Sequence, residues 1–70
     1  MTNLKLLKAK LVLAGYEDFT NDLERILGIS HGTASKKANG KSDFSQKEIS
    51  LLTEALNLSG DEVKAIFTSG

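Results

Sequence analysis

One glycine between two short helical runs constrains this chain more than any other feature. From Thr20 to Ser42 the sequence reads TNDLERILGISHGTASKKANGKS. Leu23, Ile26 and Leu27 share one helical stripe with Phe19 a turn earlier, while Asn21, Asp22 and Arg25 fall on the other side. Gly28 follows the last apolar residue, where a left-handed backbone strains any side chain but costs glycine nothing, and Ile29 then returns to the core. Ser30 can cap a second helix by accepting a backbone N–H, and that helix runs through HGTASKKA to a strong stop at Asn39 and Gly40. Its core-type side chains are Ala34 and Ala38, with Ile29 leading in. A helix of about two turns and this polarity is not held by burial alone, so its outer face is expected to stay polar for a partner.

The remaining helices follow from the same signals. Leu4, Leu7, Leu11 and Ala14 recur at helical spacing and end at Gly15, with Leu6, Val12 and Leu13 widening the stripe beyond what a surface helix needs. Ser45 and Glu48 have the capping-box spacing ahead of Ile49, Leu52 and Leu56. Ser59 and Glu62 repeat it ahead of Val63, Ile66 and Phe67. No segment alternates as a strand does, and proline is absent. The spacing therefore predicts an all-α, compact five-helix bundle, with helices near 3–14, 19–27, 31–38, 46–57 and 60–67. Its expected core is Leu7, Leu11, Leu23, Ile26, Ile29, Ile49, Leu52, Leu56, Val63 and Phe67.

Seventy residues allow one domain, 1–70, whose small core buries roughly 60% of the unfolded chain's surface. Nine basic side chains balance nine acidic ones, so bulk charge says nothing of nucleic acid. Their distribution does. Lys36, Lys37, Lys41 and Lys47 lie in one section, opposed there by Asp43 and Glu48, after an acidic group of Glu17, Asp18, Asp22 and Glu24. The chain has no cysteine, which removes disulfides and thiolate zinc sites and fits a reducing compartment. Lys5, Lys8 and Lys10 interrupt the apolar N-terminal part, and no run approaches the ~20 apolar residues of a membrane span. The expectation is a soluble, cytoplasmic protein without signal peptide or membrane partner.

Two short helices around a glycine turn, the second carrying lysines, have the spacing of a DNA-binding helix-turn-helix. The run LERILGIS, a short polar helix, NGKSDFSQKEI and LLTEALNLSGDEV together resemble the phage-repressor and Cro-like helix-turn-helix family of small five-helix DNA-binding domains. The resemblance covers most of the chain, and residues 19–63 carry its motifs. It implies that the helix matching Ser30 to Ala38 lies in the major groove and that the segment matching Asn39 to Ser42 touches the sugar-phosphate backbone. Two departures stand out. Glu24 occupies a position where the family usually has alanine, so its carboxylate must snorkel or pair, with Lys37 as a candidate partner. Ala34 stands where the family usually has a larger aliphatic residue, and Gly32 costs about 1 kcal/mol relative to alanine in a helix interior.

On this reading the base-reading residues are His31, Gly32, Thr33 and Lys36. Lys36 suits guanine O6 and N7, Thr33 a thymine methyl or a phosphate, and His31 a guanine or a phosphate unless it is merely solvated. Gly32 would permit close backbone approach. Ser30, Ser35, Lys37, Asn39, Lys41 and Ser42 are the candidates for the DNA backbone, although Lys37 can instead cover the core with its methylenes. Asp43 and Phe44 should anchor the loop. One histidine, no cysteine and no evident acid pair leave neither a nucleophile–base pair nor a metal cluster, so no enzyme, metal or cofactor is expected. The resulting expectation is a sequence-specific transcription regulator of repressor or Cro type in a bacterial host, nucleoid-associated, binding double-stranded operator DNA as a homodimer. The first helix and the Ile66–Phe67 pair are candidate dimer contacts. The alternative is an antirepressor-like protein-interaction module on the same fold without DNA binding.

Overall fold

The computed structural model describes residues 1–68. It is all-helical, with α1 at Leu4–Leu13, α2 at Phe19–Leu27, α3 at His31–Ala38, α4 at Gln46–Leu56 and α5 at Gly60–Phe67. Each helix begins at a residue whose side chain accepts a first-turn N–H: Asn3, Asp18, Ser30, Ser45 and Ser59. Ser45 with Glu48 and Ser59 with Glu62 complete full capping boxes.

The first four helices also share one way of stopping. Gly15, Gly28, Gly40 and Asn57 take left-handed backbone angles. In each case the next N–H reaches back five residues: Tyr16 to Leu11 O at 3.0 Å, Ile29 to Glu24 O at 3.3 Å, Lys41 to Lys36 O at 2.8 Å and Leu58 to Thr53 O at 3.0 Å. This is the Schellman pattern, in which the residue after the left-handed one normally makes an apolar contact with the helix it closes. Tyr16, Ile29 and Leu58 are apolar at this position and pack against the core. Lys41 is the exception and is exposed.

α2 packs against α3 and α4, α4 against α5, and α5 against α1. The radius of gyration, 10.8 Å, is what a compact chain of this length reaches at about 11 Å. Leu7, Leu11, Leu23, Leu52 and Ile66 are the largest fully buried side chains, and Leu27, Ala34, Phe44 and Phe67 complete the core. Leu7, Leu11, Leu23, Leu52 and Phe67 therefore sit as expected, whereas Ile26, Ile29, Ile49, Leu56 and Val63 are half-buried around them. The phase differs on two helices. α2 is gripped between α3 and α4, which centres its stripe on Leu23 and Leu27. α5 meets both α1 and α4 and turns Ile66 fully inward. Ile66 and Phe67 are thus internal rather than available to a second copy. On α1, Leu13 is 82% and Val12 59% exposed, so the apolar excess of that helix does lie outside.

Asp22 also departs from expectation. It is buried rather than on the outer face, because its carboxylate accepts the Asp18 N–H at 3.0 Å and so closes the start of α2. The N- and C-terminal helices are joined by Asn3 N–H donating to Ile66 O at 2.6 Å and by the ion pair of Lys10 with Glu62.

The Lys10 ammonium and the Ser59 N–H hold the Glu62 carboxyl at about 2, from an ordinary 4.5. A carboxyl with a lower pKa folded than unfolded stabilises the fold when it is ionised in both states. That contribution is complete above about pH 5 and drains away as the pH falls through about 2. Glu62→Gln should therefore lower the urea midpoint at neutral pH, and its gap from wild type should narrow steadily below about pH 5. A gap independent of pH would show that the pair contributes nothing.

Candidate nucleic-acid interface

α3 is seated by short side chains. Ala34 is fully buried and Ala38 half-buried one turn later, against α2. At about 100° per residue, Lys36 lies opposite the Ala34–Ala38 edge, flanked by Gly32 and Thr33. All three are exposed, and so is His31. A Cβ built at Gly32 would meet no atom within 4 Å, so nothing in the fold asks for glycine there. The Ser30 hydroxyl accepts the Thr33 N–H at 3.3 Å and lies 3.0 Å from Thr33 Oγ1, so it is engaged within the first turn of α3. Ser35 is half-buried, and its hydroxyl accepts from the Asn39 amide at 3.4 Å.

Backbone hydrogen bonds fold the loop after α3 back onto the helix end. Gly40, at φ +76°, sends its N–H to Lys37 O at 3.2 Å, while the Lys41 and Ser42 N–H groups both reach Lys36 O. Asn39, Lys41 and Ser42 are thereby displayed beside the end of α3, all exposed. Asp43 is drawn toward the protein: its carboxylate accepts from the Thr2 hydroxyl and the Phe44 N–H, contacts that hold it below the usual carboxylate range. Phe44 is buried and meets Phe67 edge-on, centroids 5.9 Å apart, fastening the loop to α5.

Lys37 must be removed from the candidate DNA contacts. It is buried, its ammonium donates to Asp43 O at 2.7 Å and pairs with Glu48 Oε1 at 2.9 Å, and it stands 5.5 Å from the Phe44 ring centroid. Glu48 is the partner that the sequence reading missed, since its capping role already accounted for it. Burial pushes the Glu48 carboxyl up, but the Ser45 N–H and the Lys37 ammonium together outweigh this and leave it below its ordinary value. Glu24 pairs not with Lys37 but with His31, Nδ1 to Oε2 at 2.7 Å across the turn. Lys36 and Lys41 make no ion pair among the described residues.

The structure thus leaves His31, Gly32, Thr33, Lys36, Asn39, Lys41 and Ser42 exposed, with Gly32, Thr33 and Lys36 on the face of α3 opposite Ala34 and Ala38 and His31 turned toward α2, and it buries Lys37. Among the described residues no group of three His, Cys, Asp or Glu side chains is placed to hold a metal, and no helix is long and apolar enough to cross a membrane. Comparison with protein-family models, curated proteins and solved structures finds no match to this chain.

The two neighbouring lysines should behave oppositely in stability. Lys37→Met keeps the methylenes but strands the Glu48 carboxylate and the Asp43 carbonyl, and should cost about 2–4 kcal/mol. Lys36→Met should stay within about 0.5 kcal/mol of wild type. Urea denaturation of the two variants checks both values.

Proposed function

We propose that this chain is a sequence-specific DNA-binding transcription regulator of the repressor or Cro type, with α2 and α3 forming a helix-turn-helix and α3 entering the major groove of operator DNA. The observation that carries this reading is the surface around α3. A minimal helix is fixed by two alanines and a buried lysine, and its opposite face is left to Gly32, Thr33 and Lys36. The adjoining turn places Lys41 in solvent where the other three such turns place an apolar anchor. Two ammonium groups that make no ion pair among the described residues, one on the helix face and one on a hydrogen-bonded loop, suit a base edge and a phosphate respectively. Thr33 keeps a hydroxyl proton to donate, and the Asn39 amide and Ser42 hydroxyl add neutral partners for phosphate oxygens. No cofactor enters this mechanism.

One short helix reads few base pairs, so two copies on half-sites ~34 Å apart are part of the proposal. Val12 and Leu13 of α1 are the candidate contact now that Ile66 and Phe67 are internal. The same exposed pair, with a net charge of zero, is what favours the second reading, a protein-interaction module without DNA binding. A location in the bacterial cytoplasm, with the nucleoid, accompanies the first.

A gel-shift against genomic and random duplexes at low and moderate salt tests the proposal. Lys36→Ala should weaken the preferred site by ~1–3 kcal/mol and relax choice at one base pair, with less effect on random DNA. Lys41→Ala should weaken all sequences alike and reduce the salt slope by about one. If neither substitution alters binding, or no duplex is bound, the interaction module takes the lead.

Gly32 gives an independent check. Gly32→Ala should stabilise the protein by at most about 0.5–1 kcal/mol, because alanine has less backbone freedom to lose from the unfolded chain and its methyl meets open space, while the first-turn position reduces the gain. The same methyl should weaken specific DNA binding where the backbone approaches the groove. A variant more stable and equally tight would place Gly32 away from the DNA.

A further inference from the structure

We propose that Glu24 fixes the hydrogen-bonding character that His31 offers to DNA, so that a neutral imidazole reads an exocyclic amine of cytosine or adenine and a protonated one reads guanine. This rests on the DNA-binding reading and deepens it to the identity of one base.

The geometry begins at the turn. His31 is the first residue of α3, and the N-terminal residues of a recognition helix are those that meet base edges. Its side chain is 70% exposed, while Nδ1 lies 2.7 Å from Glu24 Oε2 on α2. An ionised carboxylate has no proton to give, so the hydrogen in this contact belongs to Nδ1. With Nδ1–H occupied, the neutral ring leaves Nε2 as a bare acceptor pointing away from the pair. The major-groove donors available to an acceptor are cytosine N4–H and adenine N6–H, whereas guanine shows only acceptors there. Protonation adds a hydrogen to Nε2 and reverses the preference toward guanine O6 and N7, or a phosphate.

The charged surroundings leave this choice to Glu24. On α2 the neighbouring Arg25 is exposed and makes no ion pair among the described residues. On α3, Lys36 is beyond the first turn and Lys37 is held by Glu48. The glutamate thus turns a departure from the related pattern into a specificity element: a carboxylate at the crossing of α2 and α3 that would otherwise be half-buried without a partner.

Two measurements on the intact chain test it. Nitrogen-15 spectra of the free protein at about pH 8 should place the neutral proton on Nδ1 in wild type and move population to the other nitrogen in Glu24→Ala, which leaves no acceptor for it; a proton on Nε2 in wild type overturns the proposal. Selection from random duplexes at about pH 5.5 and about pH 8, either side of the usual histidine range, should yield sites differing at one position. That position should be cytosine or adenine at the higher pH, by about fivefold or more over guanine, and guanine at the lower. His31→Gln should lose the pH response, and Glu24→Ala should reduce the high-pH discrimination toward one. Sites enriched identically at both pH values, or a response retained in His31→Gln, overturn the proposal while DNA binding stands. A Glu24→Ala variant that is less stable but selects the same bases makes the pair a structural clamp and overturns it as well. Enrichment of no sequence at either pH, with Nδ1 still protonated, locates the failure in the DNA-binding reading, and the base assignment falls with it.

Discussion

One ammonium group holds three parts of this chain at once. Lys37 Nζ ties α3 to the carbonyl of Asp43 in the following loop and to the Glu48 carboxylate at the start of α4, with the Phe44 ring beside it. Burying a cation is costly unless it is paired and hydrogen-bonded, and here both conditions are met. Glu48 is itself held by the Ser45 N–H, so the pair is built onto a helix cap whose position is already determined. Apolar burial alone could not define α3, whose only core side chains are alanines. The directional contacts of Lys37 supply what bulk does not, by setting where the helix ends and where the loop goes.

The consequence is a division of labour along residues 32–38. Ala34, Lys37 and Ala38 face the protein, while Lys36 and, nearer the start, Gly32 and Thr33 face away. Adjacent lysines at 36 and 37 therefore have unrelated physical roles. A hundred degrees of helical rotation separates a buried structural cation from one in solvent. The same economy appears at the turn before α3, where Gly28 lets Glu24 O receive the Ile29 N–H and brings the Glu24 carboxylate to the His31 ring.

Helix starts and stops were legible in the sequence because they are local. Ser30, Ser45 and Ser59 cap N–H groups within three residues, and Gly15, Gly28 and Gly40 supply left-handed turns that need no distant partner. The phase of each helix was less legible. Whether Ile26 or Leu27, and Val63 or Ile66, is most buried depends on which helices lie to either side, and sequence spacing alone fits both. Asp22 reads as an outward acid until the free N–H of Asp18 claims it. Around the candidate site, exposure of Lys36 and Thr33 follows from helical geometry, and Lys41 is exposed because a charged side chain stands where the other turns carry an apolar one. The pairings of Lys37 with Glu48 and Glu24 with His31 span eleven and seven residues across turns, and no local rule selects among the acids available.

Net neutrality is consistent with a surface that is not neutral everywhere. Six of the nine acidic side chains are engaged in the fold: Asp18 and Asp22 at the start of α2, Glu24 on His31, Asp43 on Thr2 and Phe44, Glu48 on Ser45 and Lys37, and Glu62 on Ser59 and Lys10. Of the nine basic ones, Lys10 and Lys37 make ion pairs among the described residues. A carboxylate surrounded by N–H dipoles or a lysine projects less field into solvent than a free ammonium does. At a screening length of about 8 Å in physiological salt, what a partner meets is the local set of charges rather than the total. Around α3 and its loop the nearby acids Glu24, Asp43 and Glu48 all have protein partners, whereas Lys36 and Lys41 make no ion pair among the described residues. The acids stabilise caps and crossings, and this leaves the free cations to give the α3 surface its charge.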